Sequence, residues 1–344
     1  MIDLTTKIEA LAKIGEWLLK NDSPQLELAA LKSEYENPWF TAENIQLSIQ
    51  SIAENFLNKS KLDNWLADYE VKNPSHQKTI GLIMAGNLPL VGFHDFLIVY
   101  ISGHKAQIKL SSKDEYLLPC IVSKLAELDS EVSQNISFVD KITGVDAAIA
   151  TGSGNSARYF EYYFRGIPHI IRKNRHSVAV VNGEETDEEL IGLGKDIFQY
   201  FGLGCRSVSA LFVPENYSFK RMMELFKDHW LYLMDHSKYR NNYEYNLACA
   251  MLDNKKQIVG DSVLLFEETS NISRIACLHY QHYVNMMEVN KSLMFRKNEL
   301  QCIATTTKLN KNLKALQVPF GNAQQPELSD YADGVNTLNF LVSL

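Results

Sequence analysis

The sequence predicts an α/β fold of doubly wound parallel sheets in two domains, behind a helical N-terminal segment. Three observations predict it. From residue 79 to residue 181, short apolar runs alternate with helix-length segments, as in sheets whose strands are joined by crossover helices. Glycines stand at the ends of several of these runs, where the chain must turn. The first 70 residues show helical periodicity instead. A chain of 344 residues suggests one large or two medium domains, and the expected division is 1–172, 173–315 and a closing segment at 316–344.

The N-terminal segment repeats apolar residues at helical spacing, as Ile8, Leu11, Ile14 and Leu18 and again as Leu47, Ile49, Ile52 and Phe56. It carries no recognisable chemistry, and its expected role is to cover the sheet that follows. Strands are expected at 79–85, 106–110, 136–139, 146–150, 169–172 and 177–181, with helices at 93–102 and 156–164. Ser112-Lys113-Asp114-Glu115 reads as a capping box opening a helix to about Leu128. A helix at 188–200 and a strand at 208–213 flank a glycine-rich loop. Beyond it the pattern predicts a helix at 219–234, a polar aromatic loop at 239–246, strands near 262–266 and 301–305, and a last strand at 337–342. That last strand is apolar enough to pair with another sheet, and a homodimer or other homo-oligomer is expected.

Composition narrows the class. Hydrophobic residues make up 46% and charged residues 22%, as in ordinary globular chains. A net charge of −7 gives no basic field to recruit nucleic acid. No apolar run reaches the roughly 20 residues of a membrane span. The first residues show no signal peptide. Five scattered cysteines without a CxxC pair point to a reducing, cytoplasmic setting and away from a disulfide framework or thiolate zinc site.

The chemistry concentrates in a few stretches. Phe201-Gly202-Leu203-Gly204-Cys205-Arg206-Ser207 presents a thiol at a tight bend, with a basic neighbour that favours thiolate. Cys205 is therefore a candidate nucleophile, and a small buried cysteine is the competing reading. Gly152-Ser153-Gly154-Asn155-Ser156-Ala157 formally fits a dinucleotide fingerprint, without the acidic residue that normally grips a ribose, and is expected to face a nucleotide. Lys109 ends a strand and offers a cation to ribose hydroxyls or a 2′-phosphate, unless it is simply a solvated strand end. Ser111 and Ser112, being uncharged, leave room for a 2′-phosphate beside Lys113. Asn87, in Gly86-Asn87-Leu88-Pro89, is either a turn asparagine or an oxyanion donor acting with the Cys205 N–H. His94, His169 and His176 are candidate bases for Cys205 and also ordinary structural histidines. Glu267 and Glu268 are candidates for a nicotinamide ribose. Cys277, His279 and His282 form a weak metal constellation, with the histidines expected on a short helix, and no metal is expected.

The ordered set Gly86-Asn87-Leu88-Pro89, Lys109 before a serine pair, Thr151-Gly152-Ser153 and Gly202-Leu203-Gly204-Cys205-Arg206-Ser207 resembles the aldehyde dehydrogenase superfamily. The nearest branch is the acyl-CoA reductase family, which includes the fatty acid reductase component of bacterial bioluminescence. The resemblance is good over about 75–215 and loose over 235–300. It implies an aldehyde-dehydrogenase-like fold, Cys205 as acyl-accepting nucleophile, Asn87 as oxyanion amide, Lys109 at the adenosine ribose and Ser153 at the pyrophosphate. Oxidising members carry a water-activating glutamate where this chain reads Ile170-Ile171-Arg172-Lys173-Asn174-Arg175. Arg172 at that place either adds positive charge near Cys205 or points away to pair with a surface acid. Loss of the glutamate favours exchange with a thiol over hydrolysis. The implied activity is reduction of a fatty acyl-CoA to aldehyde by NADPH, or by NADH, with CoA as leaving group. Aldehyde oxidation, cysteine-based acyl transfer and a non-catalytic relative are the alternatives.

Overall fold

The computed structural model describes residues 3–152 and 154–344. The chain forms two compact units, one of 1–174 with 326–344 and one of 175–325.

The first unit opens with α1 (Leu4–Lys20), α2 (Pro24–Glu36), α3 (Ala42–Asn55) and α4 (Lys59–Leu66). Each starts where a short polar side chain accepts an N–H of the first turn: Asp3, Ser23, Thr41 and Asn58. There follow β1 (Thr79–Ile83), α5 (Phe93–Ser102), β2 (Lys105–Lys109), α6 (Leu117–Leu128), α7 (Val132–Asn135), β3 (Ile136–Phe138), β4 (Ala147–Thr151), α8 (Gly154–Phe164) and β5 (His169–Arg172). The sheet order is β3-β2-β1-β4-β5, parallel throughout. The order reverses at β1, so the carboxyl ends of β1 and β4 form the crevice where such sheets bind ligands. Apolar α5 is buried along its length, and Phe93 and Phe96 share one core with Leu11, Ile14, Ile49 and Ile121.

The second unit contains β6 (His176–Val180), α9 (Asp187–Phe198), β7 (Val208–Pro214), α10 (Lys220–Trp230), α11 (Ser237–Leu252), β8 (Gln257–Val259), β9 (Leu264–Glu267), β10 (Cys277–Tyr283), α12 (Met286–Phe295), β11 (Leu300–Ala304) and β12 (Gln317–Val318). Its sheet runs β12-β11-β6-β7-β10-β9-β8, parallel except for the β8–β9 pair. The chain ends in α13 (Thr337–Val342), which belongs to the first unit. Among the described residues, no helix is long and apolar enough to cross a membrane.

Three expectations fail for identifiable reasons. The segment 337–342 is a helix. Asn336 caps it by accepting the Asn339 N–H at 2.9 Å, and the buried Thr337, Leu338 and Leu341 fit a helical stripe. It packs inside its own unit, where the Leu341 carbonyl meets His104 Nε2 at 3.1 Å, so it is no strand for a neighbouring subunit. The polar stretch 239–246 lies within α11. Its tyrosines find carbonyls that the sequence does not reveal: Tyr239 donates to Ser262 at 2.8 Å and Tyr243 to Gly260 at 2.7 Å. Ser112–Glu115 opens no helix. The Asp114 N–H closes a turn onto the Ser111 carbonyl at 2.9 Å, and α6 begins at Leu117 without a side-chain cap.

Arg172, at the end of β5, is buried. Its guanidinium donates to Asp95 Oδ2 on α5 at 2.6 Å and to Thr337 Oγ1 on α13 at 2.9 Å. Arg172 therefore pairs with an acid, but a buried one of the same unit and not the expected surface acid. Removing one member of a buried pair strands the other, at a cost of about 3–5 kcal/mol. Arg172→Ala is expected to lower stability by that order in denaturant melts, with Arg172→Met/Asp95→Leu recovering much of it. A double variant as unstable as the single one would show that the ion pair is not what joins β5, α5 and α13.

Candidate active site

In the second unit, β11, β6 and β7 are neighbours, and the turn carrying Cys205 precedes β7. The candidate nucleophile thus stands at the amino end of its sheet, opposite to the edge expected for ligands. The chain reaches it by leaving α9 through Tyr200, Phe201 and Gly202, all left-handed, with φ of 54°, 58° and 72°. Left-handed non-glycine residues cost of order 1–3 kcal/mol each and persist only where packing forces them. Here Tyr200 and Phe201 are buried, and the Phe201 ring lies 4.5 Å from that of His236 and 5.9 Å from that of Tyr239.

The turn at 204–207 is closed by the Ser207 N–H on the Gly204 carbonyl at 3.0 Å. It is held from several sides. Ser177 Oγ on β6 donates to the Cys205 carbonyl at 2.9 Å. Ser207 Oγ accepts the Gly204 N–H at 3.2 Å and an amide hydrogen of Gln324 at 3.0 Å. Arg206 Nε donates to the Ala323 carbonyl. The segment supplying Ala323 and Gln324 is itself fixed by Asp196 of α9, fully buried, whose two oxygens accept the Gly321 and Ala323 N–H groups at 2.7 and 2.9 Å. Gly192 of α9 lets this segment come close, since a Cβ there would crowd the Phe320 carbonyl at 3.0 Å. Cys205 is exposed at the tip of this frame. Beneath it the Cys302 thiol is buried, and burial pushes its pKa to about 11 despite nearby Arg206. One cysteine is presented to solvent and the other is kept protonated.

In the first unit, the loop after β1 carries Asn87, exposed, above a buried Gly86. A Cβ on Gly86 would meet Ser111 Oγ at 2.5 Å, so this loop and the one after β2 touch. Ser48 Oγ donates to the Pro89 carbonyl at 2.7 Å, and Asp114 Oδ2 accepts the N–H of left-handed Leu90 at 2.7 Å. Lys109 Nζ donates to the Asp140 carbonyl at 2.6 Å, with its ammonium exposed, and Ser112 is exposed beside it. Gly152 follows β4 at the same edge, where its backbone approaches Phe160 and Ser156. Ser153 lies outside the described residues.

The remaining candidates are occupied elsewhere. His94 is held neutral by burial, its pKa pushed down to about 4, and its ring stacks on Phe56 while Nε2 meets the Leu328 carbonyl at 3.1 Å. His169 Nδ1 meets the Ile167 carbonyl at 2.9 Å. His176 begins β6, with its pKa lowered by burial. His279 and His282 lie on strand β10, not on a helix, and three residues apart they face opposite sides. Glu268 pairs with Lys255 at 2.9 Å, and Glu267 is exposed at the end of β9. Ser177, Cys302, Asp196 and Gln324 were not singled out by the sequence. Only Asp196 left a trace there, as a carboxylate on the face that buries Leu193 and Ile197.

Two linked parallel sheets with an exposed thiol at a clamped turn define an aldehyde-dehydrogenase-like protein. A sequence profile of the acyl-CoA reductase (LuxC) family matches residues 18–229, more than half of the chain. The chain belongs to that family and is an oxidoreductase of the aldehyde dehydrogenase superfamily. Among solved structures it is similar to an oxidoreductase from Marinobacter aquaeolei, with 13% identity and a TM-score of 0.69 over 95% of this chain and 79% of that one. Aldehyde dehydrogenase 21 from Physcomitrella patens, in complex with the reaction product succinate, gives 11% identity and a TM-score of 0.70 over 99% and 84%. An NAD⁺ complex of an aldehyde dehydrogenase from Bacillus cereus gives 13% and 0.65 over 97% and 80%. A search of curated protein sequences finds no match.

Asp114 supplies a pH signature. Burial raises its pKa to about 6, against the lowering effect of the Leu90 N–H. A carboxyl whose folded pKa is raised favours folding at low pH, and that contribution disappears as pH climbs through about 6. Asp114→Asn removes the titration, so the variant should gain relative to wild type by about 2–3 kcal/mol between acid and mildly alkaline pH, at 1.36 kcal/mol per unit. Parallel stability–pH curves for the two proteins would show that Asp114 is not buried as a charge.

Proposed function

We propose that the protein is an acyl-CoA reductase that converts a fatty acyl-CoA thioester to the aldehyde through an acyl-enzyme on Cys205. The observation that carries this reading is the exposed Cys205 on a turn clamped by Ser177, Ser207 and Arg206, in a chain whose water-activating position is Arg172, itself committed to Asp95. The Cys205 thiolate attacks the thioester carbonyl. The Cys205 N–H donates to the oxyanion, an interaction worth about 2.7–4 kcal/mol in comparable sites. The oxyanion collapses, CoA leaves as its thiolate, and the acyl group stays on sulfur. With Arg172 where oxidising members keep their glutamate, this thioester resists hydrolysis and awaits reduction.

A nicotinamide cofactor, when bound, supplies the hydride. The residues at the carboxyl edge of the first sheet fit its phosphates and ribose. Lys109 spends one of three ammonium hydrogens on Asp140, Ser112 offers an exposed hydroxyl, and α8 opens just after Gly152. The likeness to an NAD⁺ complex supports the same reading.

Radiolabelled acyl-CoA without cofactor is expected to leave label on the Cys205 peptide, released as aldehyde when NADPH is added. Cys205→Ala should abolish both events. Free acid formed from aldehyde and NAD⁺ would instead favour an aldehyde dehydrogenase, and turnover by the Cys205→Ala variant would end the proposal. For the cofactor, a carboxylate beside Lys109 repels a 2′-phosphate, so Ser112→Glu should weaken NADPH relative to NADH. An unchanged ratio of the two Kd values would place the 2′-phosphate elsewhere.

A further inference from the structure

We propose that Ser177 is the positioning residue of the nucleophile, and that Cys302 serves it by fixing the direction of its one hydroxyl proton. The inference rests on Cys205 being the nucleophile. Ser177 is fully buried at the start of β6, and its oxygen faces three polar groups: the Cys205 carbonyl at 2.9 Å, the Cys302 N–H at 3.2 Å and the Cys302 sulfur at 3.0 Å. A hydroxyl has one proton and two lone pairs. The carbonyl can only accept, so the Ser177 proton goes there. The Cys302 N–H can only donate, so it takes one lone pair. The thiol, kept protonated by burial, donates to the other at 3.0 Å, with the Arg206 carbonyl as a longer alternative at 3.8 Å. Each site on the Ser177 hydroxyl is then used, and its proton has a single orientation.

The target of that proton matters because of where it lies in the turn. Cys205 and Arg206 are the two central residues at 204–207, and the peptide between them is the one whose flip interconverts turn types I and II. Neither residue has a positive φ, and no peptide bond among the described residues is cis. The Cys205 carbonyl therefore points inward to Ser177, and the Arg206 N–H points the opposite way. Holding this plane also fixes the bond from Cα to Cβ of Cys205, and with it the line of approach of the sulfur. Ser177 grips this central peptide directly, at the Cys205 carbonyl, whereas the bonds of the Gly204 N–H, the Arg206 side chain and the Ser207 hydroxyl act on groups that flank it.

The experiment compares Ser177→Ala with Thr305→Val. Thr305 Oγ1 donates to the Val180 carbonyl at 2.8 Å, so the control removes another buried hydroxyl bond between the β11 and β6 chains, away from the turn. Two quantities are read on the full-length protein: the pH profile of Cys205 alkylation by iodoacetamide, by peptide mass spectrometry, and the split of steady-state constants for acyl-CoA reduction. Ser177→Ala should cut the limiting alkylation rate and kcat by about 10- to 100-fold, the scale of a misplaced reacting atom, with KM changed by less than about threefold. Thr305→Val should show a comparable drop in Tm and a wild-type alkylation profile. If Ser177→Ala does not fold, Cys302→Ala frees the hydroxyl to rotate and should reduce both rates by several-fold. The inference falls if Ser177→Ala, or Cys302→Ala in its place, alkylates and turns over like the control. It falls together with the proposed function if wild-type Cys205 reacts no faster than Cys249. Reactive wild-type Cys205 with an unaltered variant sinks this inference alone.

Discussion

The second unit depends on a carboxylate buried for the sake of two backbone N–H groups. Asp196 comes from a helix face that otherwise buries apolar side chains, and desolvation raises its pKa to about 6 against the N–H groups of Gly321 and Ala323. Those bonds hold the returning chain in place. Ala323 then receives Arg206 and Gln324 reaches Ser207, so the turn is framed by residues more than a hundred positions later. A loop built on left-handed Tyr200 and Phe201 would not hold its shape by local preference. The strain is tolerated because packing and Asp196 leave the chain no other route.

The first unit solves a similar problem in reverse. There the reactive-looking residue, Asn87, sits on a loop after β1 at the carboxyl edge of its sheet, where helix N-termini and strand ends converge. Its left-handed Leu90 is again stabilised by a buried aspartate, Asp114, which comes from the neighbouring loop after β2. The loops at the ends of β1 and β2 are thereby one mechanical piece, with Gly86 packed against Ser111. A change at one is transmitted to the other through van der Waals contact and the Leu90–Asp114 hydrogen bond.

Arg172 illustrates how a fold accommodates a buried charge. A charge in that place must be compensated once it is buried, and the compensation comes from Asp95 on the central helix and Thr337 at the start of the last one. The arginine thus ties the C-terminal segment to its own unit.

The sequence by itself determined what local chemistry can specify. Alternating apolar runs marked a mostly parallel, doubly wound sheet, since period and run length are properties of the chain alone, and its division into two came from the family resemblance. The glycine–cysteine–arginine stretch marked the turn, because glycine at Gly202 and a thiol beside a cation are legible without contacts. The tertiary structure decided everything that rests on partners distant in sequence. Residues 239–246 became helix because Tyr239 and Tyr243 found carbonyls at Ser262 and Gly260. Residues 337–342 became helix because Asn336 caps them and an apolar surface received Leu338 and Leu341. The supports of Cys205 were invisible for the same reason. Ser177 reads as one more strand residue and Cys302 as one more buried cysteine until β11, β6 and the turn before β7 are brought side by side. A hydrogen bond needs two groups within about 3 Å of each other, and no local pattern encodes a distance across a hundred residues.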